Sequence, residues 1–407
     1  MRRMRREAAG LLLAALCLFA ACAPQQASPY YVGFSLTSLY VGGEAVSARE
    51  KEDVSASVTQ LLHEIEDMVS AERADSDVAR FNAASAGERV AVGEHTYALL
   101  SLCKELFAET GGAFSPALYN LSELWGFTPE FEGTYTLPRP EPSAEQIADA
   151  AALSDFDDVI LHEDGTVSKA RDGVRIDLGG VAKGYMSDRA ARLLTEKFGS
   201  SVDAILSVMS NSVLMGHKRG ANASLGYTAS IENPRAAVTA GSGAEQGLFV
   251  IGLSDAAVST SADTYRSYVY GGRIYSHIID PSTGKPSENG VISIMVTVPR
   301  SVPYAGARAD AYSTAGFCMP LTEALAFYGR LAEERGVGAV VITADWKFYA
   351  VGDCTALNRT EYAALVSPET EIEDIFVRSD ADAAEDAVVA CAREEEYIRY
   401  VAERSGQ

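Results

Sequence analysis

Tyr275-Ser276-His277-Ile278-Ile279-Asp280-Pro281-Ser282-Thr283-Gly284-Lys285-Pro286 is the stretch from which this chain is best read. A β-prone approach, Arg273-Ile274-Tyr275, leads into a histidine and then a turn built from Asp-Pro and Thr-Gly. Two prolines fix φ and Gly284 can adopt positive φ, so the loop is rigid. Rigid loops often position a side chain. On residue types alone the stretch is either a well-made turn with a capping aspartate and an incidental histidine, or a mount for His277.

The chain has 407 residues, 47% of them hydrophobic and 22% charged, enough for one large or two ordinary domains. A net charge of −22 argues against a nucleic-acid binder, which needs a basic face. Residues 1–21 read as an export signal: Arg2, Arg3, Arg5 and Arg6, a short apolar run from Leu11, then Ala20-Ala21 before Cys22. The run is short for a membrane span. Cys22 after a small pair is similar to a bacterial lipobox, with Phe19 where leucine is more usual; an accidental Cys22 in an ordinary secreted protein is the alternative. Cys103, Cys318, Cys354 and Cys391 are widely spaced without a C-x-x-C, and the histidines at 63, 95, 162, 217 and 277 are scattered. No zinc site or disulfide scaffold is legible, so four buried thiols are expected, with a Cys354–Cys391 bridge open in an oxidising compartment. A metal, if present, should be hard and oxygen-ligated.

Residues Tyr30 to Tyr40 have strand composition. Val54, Val58, Leu61, Leu62, Ile65 and Met68 line one face of a helix expected over 53–72. A second helix should end at Thr110-Gly111-Gly112. Residues 137–142 form a proline-rich connector, and Ser143 with Gln146 predicts a capping box. Residues 159–170 read as a hairpin and 175–198 as strand, turn and helix. Further short strands follow, then helices over 310–319 and 321–334, a closing hairpin at 338–352 and a tail helix over 384–403. The fold class is α+β, with mixed, largely antiparallel sheets and packed helices. The expected organisation is a signal over 1–21, one domain over 22–352 and an acidic extension over 353–407.

Two further stretches carry chemistry. In Asp177-Leu178-Gly179-Gly180-Val181-Ala182-Lys183-Gly184-Tyr185 a strand feeds a Gly-Gly turn and a helix start, whose free N–H groups suit an anion. Lys183 stands in the first turn, where the macrodipole disfavours a cation unless an anion lies between. A tight turn with a snorkelling lysine is the equal alternative. In Ala309-Asp310-Ala311-Tyr312-Ser313-Thr314, Asp310 and Thr314 share one helix face at i, i+4. A carboxylate, a hydroxyl and carbonyl or phosphate oxygens are a set Mg²⁺ accepts; a helix-start aspartate with a back-bonding threonine is the plainer reading.

Together the three stretches resemble the ApbE family of FAD:protein FMN transferases: His-x-x-Asp-Pro-x-Thr-Gly-x-Pro, Asp-Leu-Gly-Gly-x-Ala-Lys-Gly-Tyr and Ala-Asp-x-x-Ser-Thr. Ser76 to Asn82, Gly111 to Pro116 with Leu124-Trp125-Gly126-Phe127, and Thr260-Ser261-Ala262 to Arg266 resemble its minor motifs in order. The resemblance spans about 31–352. It implies an ApbE-like, T-fold-related architecture and transfer of FMN from FAD to a Thr/Ser hydroxyl of an exported flavoprotein, with release of AMP. It implies Mg²⁺ at Asp310, Thr314 and the Gly180 carbonyl. It implies FAD contacts from Asp177, Lys183, Ile278 and the backbone at Ala113, Phe114 and Ser115, and His277 as general base. With the leader, it implies an extracytoplasmic protein anchored to the bacterial cell membrane by lipid on Cys22. Met209-Ser210-Asn211 stands where the family has Gly-Gly-Asn/Asp, Ser261-Ala262 replaces Ser-Gly, and Phe114-Ser115 replaces Phe-Asp. A Mg²⁺-dependent FAD pyrophosphatase and a non-catalytic flavin-binding lipoprotein are the alternatives.

Overall fold

The computed structural model describes residues 33–220, 223, 226–235, 247–264, 266–345, 347–352, 376–377 and 392–404. The leader with Cys22, and Cys354 and Cys391, lie outside the described residues. Cys103 and Cys318 are free, buried thiols, as expected of them.

Nine strands form the main sheet: β1 (Phe34–Val41), β2 (Glu44–Ala45), β3 (Val202–Val208), β4 (Asn211–Met215), β5 (Ala256–Ala262), β6 (Val291–Pro299), β7 (Gly338–Thr343), β8 (Phe348–Val351) and β9 (Phe376–Val377). Their spatial order is β9-β8-β7-β6-β5-β4-β3-β1-β2, and every pairing is antiparallel except β8 with β9. The α+β, largely antiparallel expectation holds. β6, Val-Ile-Ser-Ile-Met-Val-Thr-Val-Pro, is buried along all but its last residue, because it is covered on both faces. One cover is the Tyr227–Glu232 and Gly247–Leu253 hairpin, whose Ile231, Ile251 and Leu253 meet Leu214, Val258, Met295, Val340 and Ile342.

The other cover is helical. The helices used below are α1 (Ala48–Val69), α2 (Glu94–Glu109), α3 (Ala182–Phe198), α4 (Ala305–Cys318), α5 (Leu321–Arg335) and α6 (Ala392–Arg404). α4 lies on β5 and β6 with α3 across it, and every residue of α4 is buried except Thr314. The helices cross where Gly184 meets Gly306. A Cβ on Gly184 would lie 2.1 Å from the Gly306 carbonyl oxygen, and one on Gly306 would lie 2.5 Å from that of Gly184. Neither helix has a side-chain cap of its own; Val181 and Tyr304 stand at the N-cap positions. Each is capped by the other. Asp188 of α3 accepts from Gly306 N (2.8 Å) and Ala307 N (2.9 Å), while Asp310 of α4 accepts from Gly184 N (3.1 Å).

Several expectations shift. The first helix starts at Ala48, where Ser47 accepts from Glu50 N, and ends at Val69. α4 begins at Ala305, five residues ahead of Asp310, because its cap comes from a distant aspartate. Residues 175–177 form no strand. Instead the Asn82 amide accepts from Ile176 N (2.8 Å) and donates to Ile176 O (2.9 Å), doing by side chain what a neighbouring strand would do. The Ser143–Gln146 capping box and the 159–169 hairpin form as read. The tail helix is described over Ala392–Arg404 and packs on Val269 through Tyr397 and Val401.

The α3–α4 contact leaves no room for a methyl group. Gly184→Ala should therefore cost about 1–3 kcal/mol by overpacking against backbone, whereas Gly329→Ala in α5, with nothing within 4 Å of its added Cβ, should leave stability level or raise it. Thermal melts of the two variants check this; an unchanged Gly184→Ala midpoint would mean the helices do not touch there.

Candidate active site at the α3–α4 junction

The mutual capping places three of the expected residues together. Asp310, 3% exposed, receives Gly184 N on Oδ2, the Ser259 hydroxyl on Oδ1 at 3.4 Å and the Lys183 ammonium at 3.4 Å. Lys183 also donates to Gly179 O at 2.5 Å. A cation in the first turn of α3 is thus balanced by the Asp310 carboxylate itself. Thr314, one turn along α4, back-bonds to Asp310 O at 3.1 Å, as the plainer reading of that pair has it, but Asp310 is not a helix-start residue, since α4 begins at Ala305. Its hydroxyl is nevertheless part-exposed and faces the Gly-Gly turn: a Cβ on Gly180 would lie 3.6 Å from Thr314 Oγ1 and 3.5 Å from the Phe114 ring.

The Gly111–Pro116 turn joins from α2. Phe114 N donates to Thr110 Oγ1 (3.1 Å) and Ala113 N to Thr110 O (3.2 Å). These two donors are spent inside the turn and are not free for a ligand. Ser115 is buried and accepts from Ala117 N. Asp177 N donates to Pro116 O (2.8 Å), which ties this turn to the next. The exposed Asp177 carboxylate accepts from Gly179 N at 2.8 Å.

His277 directly follows the hairpin of Ser267–Tyr270 and Arg273–Ser276. An aromatic stack carries that hairpin. Trp125 lies on Tyr275 (5.6 Å), Tyr275 on Tyr268 (5.2 Å) and Tyr268 on Phe127 (5.5 Å). Trp125 Nε1 donates to Gly284 O at 2.9 Å, locking the turn whose Gly284 has φ +67. Asp280 caps the turn, accepting from Ser282 N (2.8 Å) and from the Thr283 hydroxyl (3.2 Å). Ile278 is buried; its N–H points to Ser276 Oγ at 3.4 Å and its carbonyl accepts from Ser287 N, which leaves a second lone pair on that oxygen.

His277 N donates to Arg266 O at 2.9 Å, and Nδ1 lies 3.3 Å from the same oxygen. A neutral ring with Nδ1–H toward that carbonyl keeps its lone pair on Nε2. Desolvation, followed by the charge of Arg266 and then Lys183, pushes His277 down to about 4, despite the opposing backbone hydrogen bond to Arg266. At neutral pH it is therefore an unprotonated base.

The Ser261 and Ser313 hydroxyls bond each other at 2.8 Å beside Asp310. Burial raises the Glu72 carboxyl to about 7, aided by the charge of Asp177 and offset in part by Arg266, and its Oε2 has no hydrogen-bond partner. Asn211 is fully buried opposite Ser259 in the sheet, and neither polar atom of its amide has a partner. Nothing in the periodicity of the chain could have pointed to Glu72. Met209 begins the two-residue β3–β4 turn at φ +54, the sign a glycine adopts freely. Its side chain is 58% exposed and its sulfur lies 3.4 Å from Gly33 N.

The residues present fit a hard divalent cation. No cluster of three or more His, Cys, Asp or Glu exists among the described residues, which excludes an all-protein cage there. One buried carboxylate, one outward hydroxyl and a glycine carbonyl, leaving positions for phosphate oxygens and water, are what Mg²⁺ takes. The orphaned Asn211 amide next to Ser259 is consistent with a polar ligand at this end of α4.

Comparison with known proteins agrees with this geometry. The sequence model of the ApbE family matches residues 35–341. The FAD:protein FMN transferase of Treponema pallidum is 31% identical over 354 residues, 83% of this chain and 91% of that protein. The Vibrio cholerae protein of the same name is 30% identical over 61% of this chain and 69% of its own length. Among solved structures, the ApbE protein of Thermotoga maritima superposes with a TM-score of 0.64 at 25% identity, covering 78% of this chain and 96% of that one. The apo flavinyl transferase ApbE of Pseudomonas stutzeri gives 0.62 at 26% identity, covering 78% and 90%. With the family model matching residues 35–341 and most of the chain's length shared with the Treponema pallidum protein, this chain belongs to the ApbE family.

Proposed function

We propose that the chain is a Mg²⁺-dependent FAD:protein FMN transferase that attaches FMN to a Thr/Ser hydroxyl of an exported flavoprotein. The observation that carries this reading is the α3–α4 junction. There the one unburied residue of α4, Thr314, stands beside Gly180, with Asp310 and Lys183 behind it and His277 within Lys183's field. The names carried by the Treponema pallidum and Vibrio cholerae relatives support the same substrate pair.

In this reading Asp310, Thr314 and the Gly180 carbonyl hold Mg²⁺, which supplies Lewis-acid stabilisation of pyrophosphate charge. Lys183 neutralises charge on the departing side of the pyrophosphate. His277 Nε2 takes the proton of the acceptor hydroxyl as its oxygen bonds to the FMN phosphorus; the P–O bond to the AMP phosphate breaks and AMP leaves. Asp177, the Ala113–Ser115 turn and Ile278 orient the flavin nucleotide. The arginine-rich leader and Cys22 support a lipid anchor on the outer side of the cell membrane.

Incubation with FAD, Mg²⁺ and an exported flavoprotein, followed by intact-mass measurement of the acceptor, should show a gain of one FMN. Asp310→Ala should slow this roughly 10²–10³-fold, the loss typical of one preorganised electrostatic group; FMN and AMP accumulating beside an unmodified acceptor would instead indicate a pyrophosphatase. Because the histidine's proton affinity is depressed, the base is lost only as pH falls through about 4. The transfer rate should therefore hold level between about pH 5 and 7, where an unperturbed histidine near 6.5 would already fade. His277→Gln should lose about 10²–10⁴-fold, and an acid limb centred near 6.5 in the wild type would contradict the assignment. Finally, Cys22→Ala should move the protein from the membrane fraction to the soluble exported fraction; unchanged membrane association would remove the anchor.

A further inference from the structure

The acidic extension after residue 352 contributes one described element that reaches the body near His277. α6 packs on the Ser267–Tyr270 strand, burying Tyr397 (3% exposed) and Val401 against Val269. The Tyr397 ring lies over the Arg235 guanidinium at 4.1 Å, and Arg235 is wholly buried. Arg235 in turn grips Asp263 with two parallel bonds, Nη1 to Oδ1 at 2.7 Å and the second nitrogen to Oδ2 at 2.8 Å. A buried, doubly bonded arginine–carboxylate pair holds its geometry only while water is kept out. Tyr397 is a side chain that covers it, with a cation–π contact in addition.

Asp263 is the first residue after β5, and three residues later Arg266 supplies the carbonyl that receives His277 N and faces its Nδ1. The segment between is pinned on both sides. Asp263 N donates to Ile292 O, the Thr264 hydroxyl to Pro234 O, and the Tyr397 hydroxyl reaches Thr264 O at 3.4 Å. Contacts therefore lead from α6 through Arg235 to Asp263 and Thr264, two residues ahead of the carbonyl that receives His277 N.

We infer that the C-terminal helix is a brace for the base: Tyr397 is a positioning residue that, by sealing the Arg235–Asp263 pair, holds Arg266 O and with it His277. The inference rests on the transferase reading for its catalytic consequence and on geometry alone for its structural one. Removal of the ring should loosen the histidine hairpin without touching the groups that hold the metal and FAD.

The test compares full-length wild type, Tyr397→Ala and Tyr397→Phe by amide hydrogen exchange and by FMN-transfer kinetics below each protein's melting range. In Tyr397→Ala, exchange at His277 and across the 267–276 hairpin should rise at least about tenfold. kcat should fall by a similar factor, with KM for FAD within about twofold of wild type. Tyr397→Phe keeps the ring and gives up only the long hydroxyl contact, so it should restore both. Unchanged hairpin exchange in Tyr397→Ala overturns the brace, as does raised exchange with unchanged kcat, which reduces α6 to a stabilising appendage. A wild type that transfers no FMN refutes the transferase reading, while the exchange comparison still decides whether α6 holds the hairpin.

Discussion

The structure depends first on the backbone contact between Gly184 and Gly306. Two helices can approach this closely only where neither has a side chain, and the distances from an added Cβ to the facing carbonyl leave no slack for one. Their closeness lets each helix cap the other, Asp188 on one N-terminus and Asp310 on the other. The same Asp310 oxygen that caps α3 also faces Lys183. Capping, charge balance and the candidate metal site are thus three uses of one carboxylate, and separating the helices would remove all three.

The second support is aromatic. His277 follows a hairpin that has little sheet to belong to, since among the described residues its two strands pair only with each other. Two-stranded ribbons are marginal alone. Here Trp125 and Phe127 sandwich the hairpin's own Tyr275 and Tyr268 in a four-ring stack, and the indole N–H fastens the Asp-Pro turn through Gly284 O. The residues of the Leu-Trp-Gly-Phe segment serve the active site without entering it. Asn82 does likewise, holding Ile176 by both backbone groups so that Asp177 is presented at a fixed place.

Much of this was legible because the chemistry sits in turns with strong local signals. Two prolines and Gly284 announce the histidine loop, Gly179-Gly180 announces the helix start, and the i, i+4 spacing of Asp310 and Thr314 places them on one face. What was not legible comes from distant partners. The start of α4 at Ala305 depends on Asp188, more than a hundred residues away, and no local cap marks it. The missing strand at 175–177 depends on an asparagine side chain that mimics a sheet neighbour. The meaning of Lys183 changed once Asp310 was found beside it. Met209 takes a positive φ at a hairpin tip, largely exposed and with its sulfur against Gly33 N.

The central claim is that the α3–α4 junction is built to hold a divalent cation against a flavin dinucleotide. The most direct measurement is a crystal structure of the protein with FAD and Mn²⁺ in place of Mg²⁺, read by anomalous scattering. The account predicts a peak about 2 Å from oxygens of Asp310, Thr314 and the Gly180 carbonyl, with the pyrophosphate completing the shell. A metal bound elsewhere, or FAD seated with its pyrophosphate away from this junction, would contradict it.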